Sequence, residues 1–203
     1  MAFDTIELVG DETKAVEKGY PPLERGYYLV KPLYVVIDNT LNALVNGYIP
    51  FKPPIIPGST GLARILEPGY GARPDLSGLL AIISPISKKG ILGIEINGLL
   101  AKHVAIPEDT IALTVEKKHP MYSIGYYVAV ANKVAELSKD QRLLIIGAGL
   151  TGFLAAILSR ESSLETDVFT LSRPRIHLLK KIGINNVGPT PIFKGPYLSL
   201  IHI

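Results

Sequence analysis

The chain has 203 residues, no cysteine, 21 Lys and Arg against 18 Asp and Glu, and a formal net charge of +3 at pH 7. The missing cysteines exclude disulfides, thiolate nucleophiles and cysteine-ligated zinc, and the scattered cations argue against a nucleic-acid stripe or a polybasic membrane patch. With 47% hydrophobic residues the sequence is that of a globular protein, long enough for one sizeable core and a second, partial one.

In chain order, MAFDTIELVGDE carries acidic residues and no apolar h-region, so no secretory leader is expected and the cytoplasm is the expected compartment. Up to about Leu113, short β-branched runs alternate with Pro and Gly. They are YYLVKPLYVVI, a small helical stretch TLNALVNG, the FKPPIIPG loop, then GLARILEPG, LSGLLAIISPI and LLAKHVAIPED, the last stopped by Pro107. This punctuation predicts an irregular β-rich domain. Between His119 and Leu137, the spacing of Ile124, Tyr127, Val128, Ala131, Val134 and Ala135 predicts a helix joining two domains. The polar break Ser138-Lys139-Asp140 sets the boundary near residue 138. Leu143–Leu158, 16 residues with three glycines, is too short for a membrane span.

Arg142–Leu171 packs an apolar strand (Leu143–Ile146), a glycine turn, a helix and a second strand into one unit. Gly147-Ala148-Gly149-Leu150-Thr151-Gly152 gives G-x-G-x-x-G between strand and helix, as a dinucleotide fingerprint requires. In that reading Gly147 permits the tight turn, Gly149 lets the backbone approach a pyrophosphate, and Gly152 lets the helix pack on the strand. The amides of Leu150, Thr151 and Gly152 then face the anion. Beyond the second strand, Phe169-Thr170-Leu171-Ser172-Arg173-Pro174-Arg175 has two arginines and no acid. Ser172, Arg173 and Arg175 therefore suit the 2′-phosphate of NADP, with NAD kept open; a surface helix start capped by these residues is the alternative. His103, His119, His177 and His202 lack the short spacing of a metal site, so no metal ligand is assigned.

β-rich domain, connecting helix and fingerprint, in this order, resemble the medium-chain dehydrogenase/reductase superfamily. INGLLAKHVAIPED resembles its G-x-x-A-E-Y-x-x-V-P-E-D segment, RLLIIGAGLTG its nucleotide fingerprint, and RPRIHLLKKIGINNV the helix and strand after its second Rossmann strand. The resemblance implies an α/β chain with a GroES-like catalytic-type domain over 1–138 and a partial Rossmann domain over 139–197. Where zinc members carry C-G-x-D and G-H-E, this chain has Asp38-Asn39-Thr40-Leu41 and Gly58-Ser59-Thr60, and the cysteine-rich loop of a structural zinc is absent. PPIIPGSTGLARILEPG resembles instead the P-G-x-x-x-A-G-x-V segment of zinc-free quinone and enone reductases. The implied activity is hydride transfer between NADPH and a carbonyl or enone of a small molecule, with no zinc. Thr40 matches the hydroxyl that relays a proton in relatives, with Asp38 beside it; the alternative is a helix N-cap at Asp38, Asn39 or Thr40. Two further readings are a dehydrogenase with a degenerate metal site through Asp38 and His119, and a non-catalytic nucleotide-binding paralogue.

A complete doubly wound domain needs about six strands, more than the residues after Arg142 supply, so a fragment of a longer, homo-oligomeric enzyme is expected. Leu198–Ile203, LSLIHI, matches the translation of a transposase mosaic-end adapter and is set aside from the fold as a sequencing scar. The strand near Ile184–Val187 is then expected to be an open edge, and the isolated chain to be unstable or aggregation-prone.

Overall fold

The computed structural model describes residues 4–138, 142–162, 165–184, 186–190 and 199–202, the last four as backbone. Lys139 and Asp140 of the predicted linker break, and Leu198 and Ile203 of the tail, lie outside the described residues. The chain divides into two compact units, 1–126 and 127–203.

The first unit opens with a hairpin, β1 (Thr5–Val9) and β2 (Glu12–Val16), antiparallel about Gly10 and Asp11. β3 (Tyr27–Val35) leads through α1 (Asn39–Val45) and an irregular stretch to β4 (Gly61–Pro68), β5 (Leu80–Ile83), and the short pair β6 (Ile86–Ser87) and β7 (Gly90–Ile91). β8 (Val104–Pro107) and β9 (Ile111–Val115) complete an antiparallel sheet ordered β8-β3-β4-β5-β9. The predicted runs fall on these strands, and β8 ends at Pro107 as its sequence requires. One face of the sheet buries Tyr28, Val30, Ala63, Ile65, Ala81, Ile83, Val104 and Ile106 in a common core. That core joins residues far apart in sequence, as the Tyr28–Ile106 pairing does.

The helix α2 (Gly125–Leu137) starts later than the sequence predicts. His119 begins a 3-10 turn over Pro120–Ile124 instead, because Pro120 fits the first position of a turn whose first N–H has no partner to lose. α2 crosses the division of the units rather than preceding it. Its Ala131 packs with Leu143, Ile145, Ala155 and Ala156 in the core of the second unit, so the contacts divide the chain 12 residues before the break expected near 138.

The second unit runs β10 (Leu143–Ile146), α3 (Leu150–Glu161), β11 (Thr166–Phe169), α4 (Arg173–Lys181), β12 (Val187–Gly188) and β13 (Ser199–His202). The four strands are parallel in the order β12-β11-β10-β13. Leu143, Leu144 and Ile145 of β10 are all buried, as expected of a central parallel strand covered on both faces.

One expectation changes here. Ser199–His202, set aside as scar, pairs with Leu143–Ile146 as a fourth parallel strand; a short apolar segment satisfies the bare edge of β10 whatever its coding origin. β12 is an edge, as expected for the strand near Ile184–Val187, but it is the outer end of the order.

Candidate functional site

The fingerprint lies at the carboxyl end of β10, between two neighbours reached in opposite directions: β11 on one side, β13 on the other. That is the switch point where open parallel sheets bind ligands. Gly147 has φ +93°, a backbone region that favours glycine, and its N–H donates to the Phe169 carbonyl at 2.8 Å, which ties the turn to the end of β11. A Cβ on Gly152 would stand 2.1 Å from the Gly147 carbonyl oxygen and 3.2 Å from Ile145 Cγ2. The third glycine is therefore what lets the first turn of α3 touch the turn made by the first.

Gly149 is the N-cap of α3 and no side chain caps it. Four N–H groups open an α-helix without an intrahelical acceptor, so Leu150, Thr151 and Gly152 present amides at the positive end of a 12-residue helix. The donors, the dipole and the half-buried setting fit the diphosphate of a dinucleotide. Gly147, Gly149, Leu150, Thr151 and Gly152 come together as the sequence predicts.

At the end of β11 the chain turns through Thr170 and Leu171 into α4, with Ser172 as an N-cap that makes no side-chain capping bond. Arg173 and Arg175 stand exposed in the first turn of α4, which contains no acid. Cations at the positive end of a helix oppose its dipole by about 0.3–1 kcal/mol each. A bound phosphate reverses that sign.

In the first unit, Asp38 is the N-cap of α1 and its Oδ1 accepts the Thr40 N–H at 2.9 Å. The capping role expected as the alternative for this segment is therefore filled by Asp38, and the Thr40 hydroxyl is not the cap. Asp38, Thr40 and Ser59 line one small cleft of about 10 Å³ together with Val36, Pro57 and Leu100. The structure thus brings together the two segments that resemble the metal-binding segments of zinc members.

Apart from the Asp38 carboxylate, its donors do not fit zinc. Thr60 turns away, its hydroxyl donating to the Ile83 carbonyl at 2.5 Å. Asp38 is engaged as a cap, Ser59 is a neutral hydroxyl, and zinc takes sulfur, imidazole or carboxylate. His119 is not among the lining residues; its Nδ1 accepts the Met121 N–H at 3.3 Å, closing the 3-10 turn. Among the described residues no three His, Cys, Asp or Glu side chains gather as a metal site.

What the sequence did not reveal is the glycine packing that forms the cleft wall. Gly58 has φ +92°, and a Cβ on Gly98 would lie 2.2 Å from the Gly58 carbonyl oxygen. A Cβ on Gly93 would lie 2.9 Å from the Gly58 nitrogen. Only glycines at both places let the 98–100 backbone run against 56–58, where Gly98, Leu99 and Leu100 donate to Ile56, Gly58 and Pro57. A roomier cleft of about 630 Å³, lined by Tyr20, Lys52, His103 and others, includes none of the predicted site residues.

Solved dehydrogenases share this architecture. One assigned as a zinc-binding dehydrogenase, from Sinorhizobium meliloti 1021 and bound to NADP, matches with a TM-score of 0.77 at 20% identity over 93% of this chain and 62% of its own. The chain has their fold. A short chain alcohol dehydrogenase from E. coli complexed with NADH matches at 0.78 and 17% identity, over 91% of this chain and 61% of its own. Acetophenone reductase from Geotrichum candidum in complex with NAD matches at 0.75 and 13% identity, over 95% and 64%. This dehydrogenase fold is an α/β architecture with a β-rich and a parallel-sheet unit, and the chain spans less than two thirds of the length of these structures. No family model matches the sequence and no curated relative matches it. No helix among the described residues is long and apolar enough to cross a membrane.

Proposed function

We propose that the chain is the nucleotide- and substrate-binding part of an NADP-dependent, zinc-free dehydrogenase or reductase that acts on a carbonyl or enone of a small molecule. The observation that carries this reading is the uncapped N-terminus of α3, set against a positive-φ glycine turn at the switch point of a parallel sheet. Its amides are fixed before any ligand arrives, so little ordering cost accompanies binding. Arg173 and Arg175 support NADP over NAD, because their guanidinium groups gain a dianion partner only when the 2′-phosphate is present.

A bound reduced nicotinamide would supply the hydride. The protein's part is then to hold the diphosphate on the Leu150–Gly152 amides and the 2′-phosphate on the arginines. Thr40 supplies a hydroxyl able to pass a proton to the substrate oxygen. Zinc-free action is favoured by the donor set of the Asp38–Ser59 cleft, and the degenerate metal site through Asp38 and His119 loses support because His119 closes its own turn.

The test is titration of the purified chain with NADPH and NADH, followed by nicotinamide fluorescence. Saturable binding of both is expected, tighter for NADPH, and the double variant R173A/R175A brings the two within about threefold. Absence of saturable binding of either nucleotide overturns the reading. Stoichiometric zinc after purification from zinc-containing medium overturns its zinc-free part.

A further inference from the structure

The five-stranded sheet of the first unit ends at β8, and the backbone there carries groups that no neighbouring strand uses. β8 pairs with β3 in the register Tyr27–Pro107, Tyr28–Ile106, Leu29–Ala105, Val30–Val104. One step further on, the Glu108 N–H donates to the Gly26 carbonyl at 2.9 Å. Bonded and non-bonded pairs alternate along an antiparallel ladder, so Ile106 and Val104 bond to β3 as Glu108 does to Gly26. Ala105 then turns its N–H and C=O away from the sheet. Tyr27 has the same phase: its N–H donates to Glu24 and its carbonyl accepts from Gly69, neither of them on β8. Among the described residues no group bonds the outward side of Ala105.

This edge forms one wall of the cleft of about 630 Å³, a volume within the roughly 300–1,000 Å³ of small-ligand sites. Ile55 and Ile56 add buried apolar surface. Pro21-Pro22 and Pro53-Pro54 also line it, and a proline has no N–H to give to the Ala105 carbonyl, so these stretches leave the edge open. Tyr20 stacks on His103 with ring centroids 4.7 Å apart and is still 71% exposed, which leaves much of its ring for a ligand. Burial, and then the charges of Lys102 and Lys31, lower the His103 pKa, so the imidazole is neutral near pH 7. Four other charged side chains border the cleft. Lys18 pairs with Glu7, and Glu95 accepts the Ile91 N–H at 2.9 Å. Lys52 and Glu24 have neither a salt bridge nor a side-chain hydrogen bond among the described residues. One cation and one anion are thus uncommitted around a neutral middle.

We propose that this cleft binds a short free peptide in extended form, which pairs its backbone with Ala105 and sets its carboxylate toward Lys52 and its ammonium toward Glu24. The mode is addition of a strand to a sheet edge: main-chain hydrogen bonds supply affinity, and the pocket beside the edge selects a side chain. An aromatic residue suits it, because Tyr20 and His103 offer a ring surface. The site shares no residue with the nucleotide turn or with the Asp38–Ser59 cleft, so it stands or falls apart from the reductase reading.

The tripeptide Gly-Phe-Gly is the probe, titrated into the isotope-labelled full chain. Saturable shifts are expected at the Ala105 and His103 amides. In the free chain the Ala105 amide should exchange with solvent faster than those of Val104 and Ile106, and saturating peptide should slow it. A105P removes the outward N–H, a change that an edge strand tolerates, and should raise the Kd about fivefold or more, the loss expected for one neutral hydrogen bond. K52Q should raise it as well, and acetyl-Gly-Phe-Gly-amide, with both termini blocked, should bind more weakly than the free peptide. The proposal is overturned by an Ala105 amide that exchanges as slowly as its two neighbours, by shifts that do not saturate, by an A105P or K52Q Kd equal to that of the parent, or by a blocked peptide that binds as tightly as the free one. The exchange criterion needs no variant, so it decides even if A105P fails to fold.

Discussion

Adding one methyl group at Gly152 tests the nucleotide loop most directly. In G152A the new Cβ stands 2.1 Å from the Gly147 carbonyl oxygen, about 0.9 Å inside the 3.0 Å that real Cβ contacts respect. The obstruction is backbone, so no rotamer change relieves it, and either the first turn of α3 or the Gly147 turn must move. Overpacking of this kind costs about 1–3 kcal/mol, while alanine in place of a helical glycine returns at most about 1 kcal/mol; a net loss of about 1–2 kcal/mol follows. Binding should suffer more than stability. A displaced amide forfeits a charge-assisted hydrogen bond worth about 1.5–3 kcal/mol, or a rise of roughly 10- to 150-fold in the Kd for NADPH. Urea unfolding and fluorescence titration measure the two effects. G125A is the control, since its Cβ meets no backbone, only the Ile82 side chain, at 2.7 Å from Cδ1 and 3.1 Å from Cγ2. If G152A binds NADPH within twofold of the parent and unfolds at the same urea midpoint, the contact between first and third glycine does not form the site.

Two further substitutions probe the units separately. Ser159 is fully buried in α3 and its Oγ has no hydrogen-bond partner among the described residues, so S159A should stabilise the second unit by about 1 kcal/mol, read as a higher urea midpoint; a lower one refutes the reasoning. Burial alone would raise the Asp109 pKa, but the Lys88 N–H at 2.8 Å and the Ser87 hydroxyl at 2.7 Å donate to its carboxylate and hold the pKa below the ordinary value. A depressed carboxylate contributes stability above its unfolded pKa and loses it as pH falls through the folded one. D109N should therefore lower the melting temperature at pH 7 and flatten its decline below about pH 4; an unchanged acid limb would count against the two hydrogen bonds.

Much of the second unit was legible in the sequence because its signals are local. A four-residue apolar run, three glycines at fixed spacing and a proline at the start of α4 each act within one turn of chain. The first unit was legible only in pieces. β3, β4 and β8 announce themselves by β-branched runs, whereas the apolar run of β9, IALTV, lies half outside the core, with Leu113 60% exposed, so its pattern does not tell which face is buried. The β1–β2 hairpin carries a local signal, alternation in Thr5–Val9 followed by Gly10-Asp11. Nothing local could place Gly98 beside Gly58, since that contact exists only after the sheet has assembled. Asp38 and Thr40 were found together in chain, but that Asp38 takes the cap and Thr40 keeps its hydroxyl depends on side-chain geometry. Residues Ser199–His202 match part of a translated adapter, yet they pair as a strand, because pairing follows backbone need and not provenance.

The wall of the Asp38–Ser59 cleft is assembled from stretches near residues 36–41, 57–59 and 93–100, which no local turn can bring together. Loop-closure entropy must be paid before such long-range contacts are made, so the cleft depends on assembly of the first unit. The cleft exists only while those three stretches stay together, so its integrity follows that of the first unit as a whole.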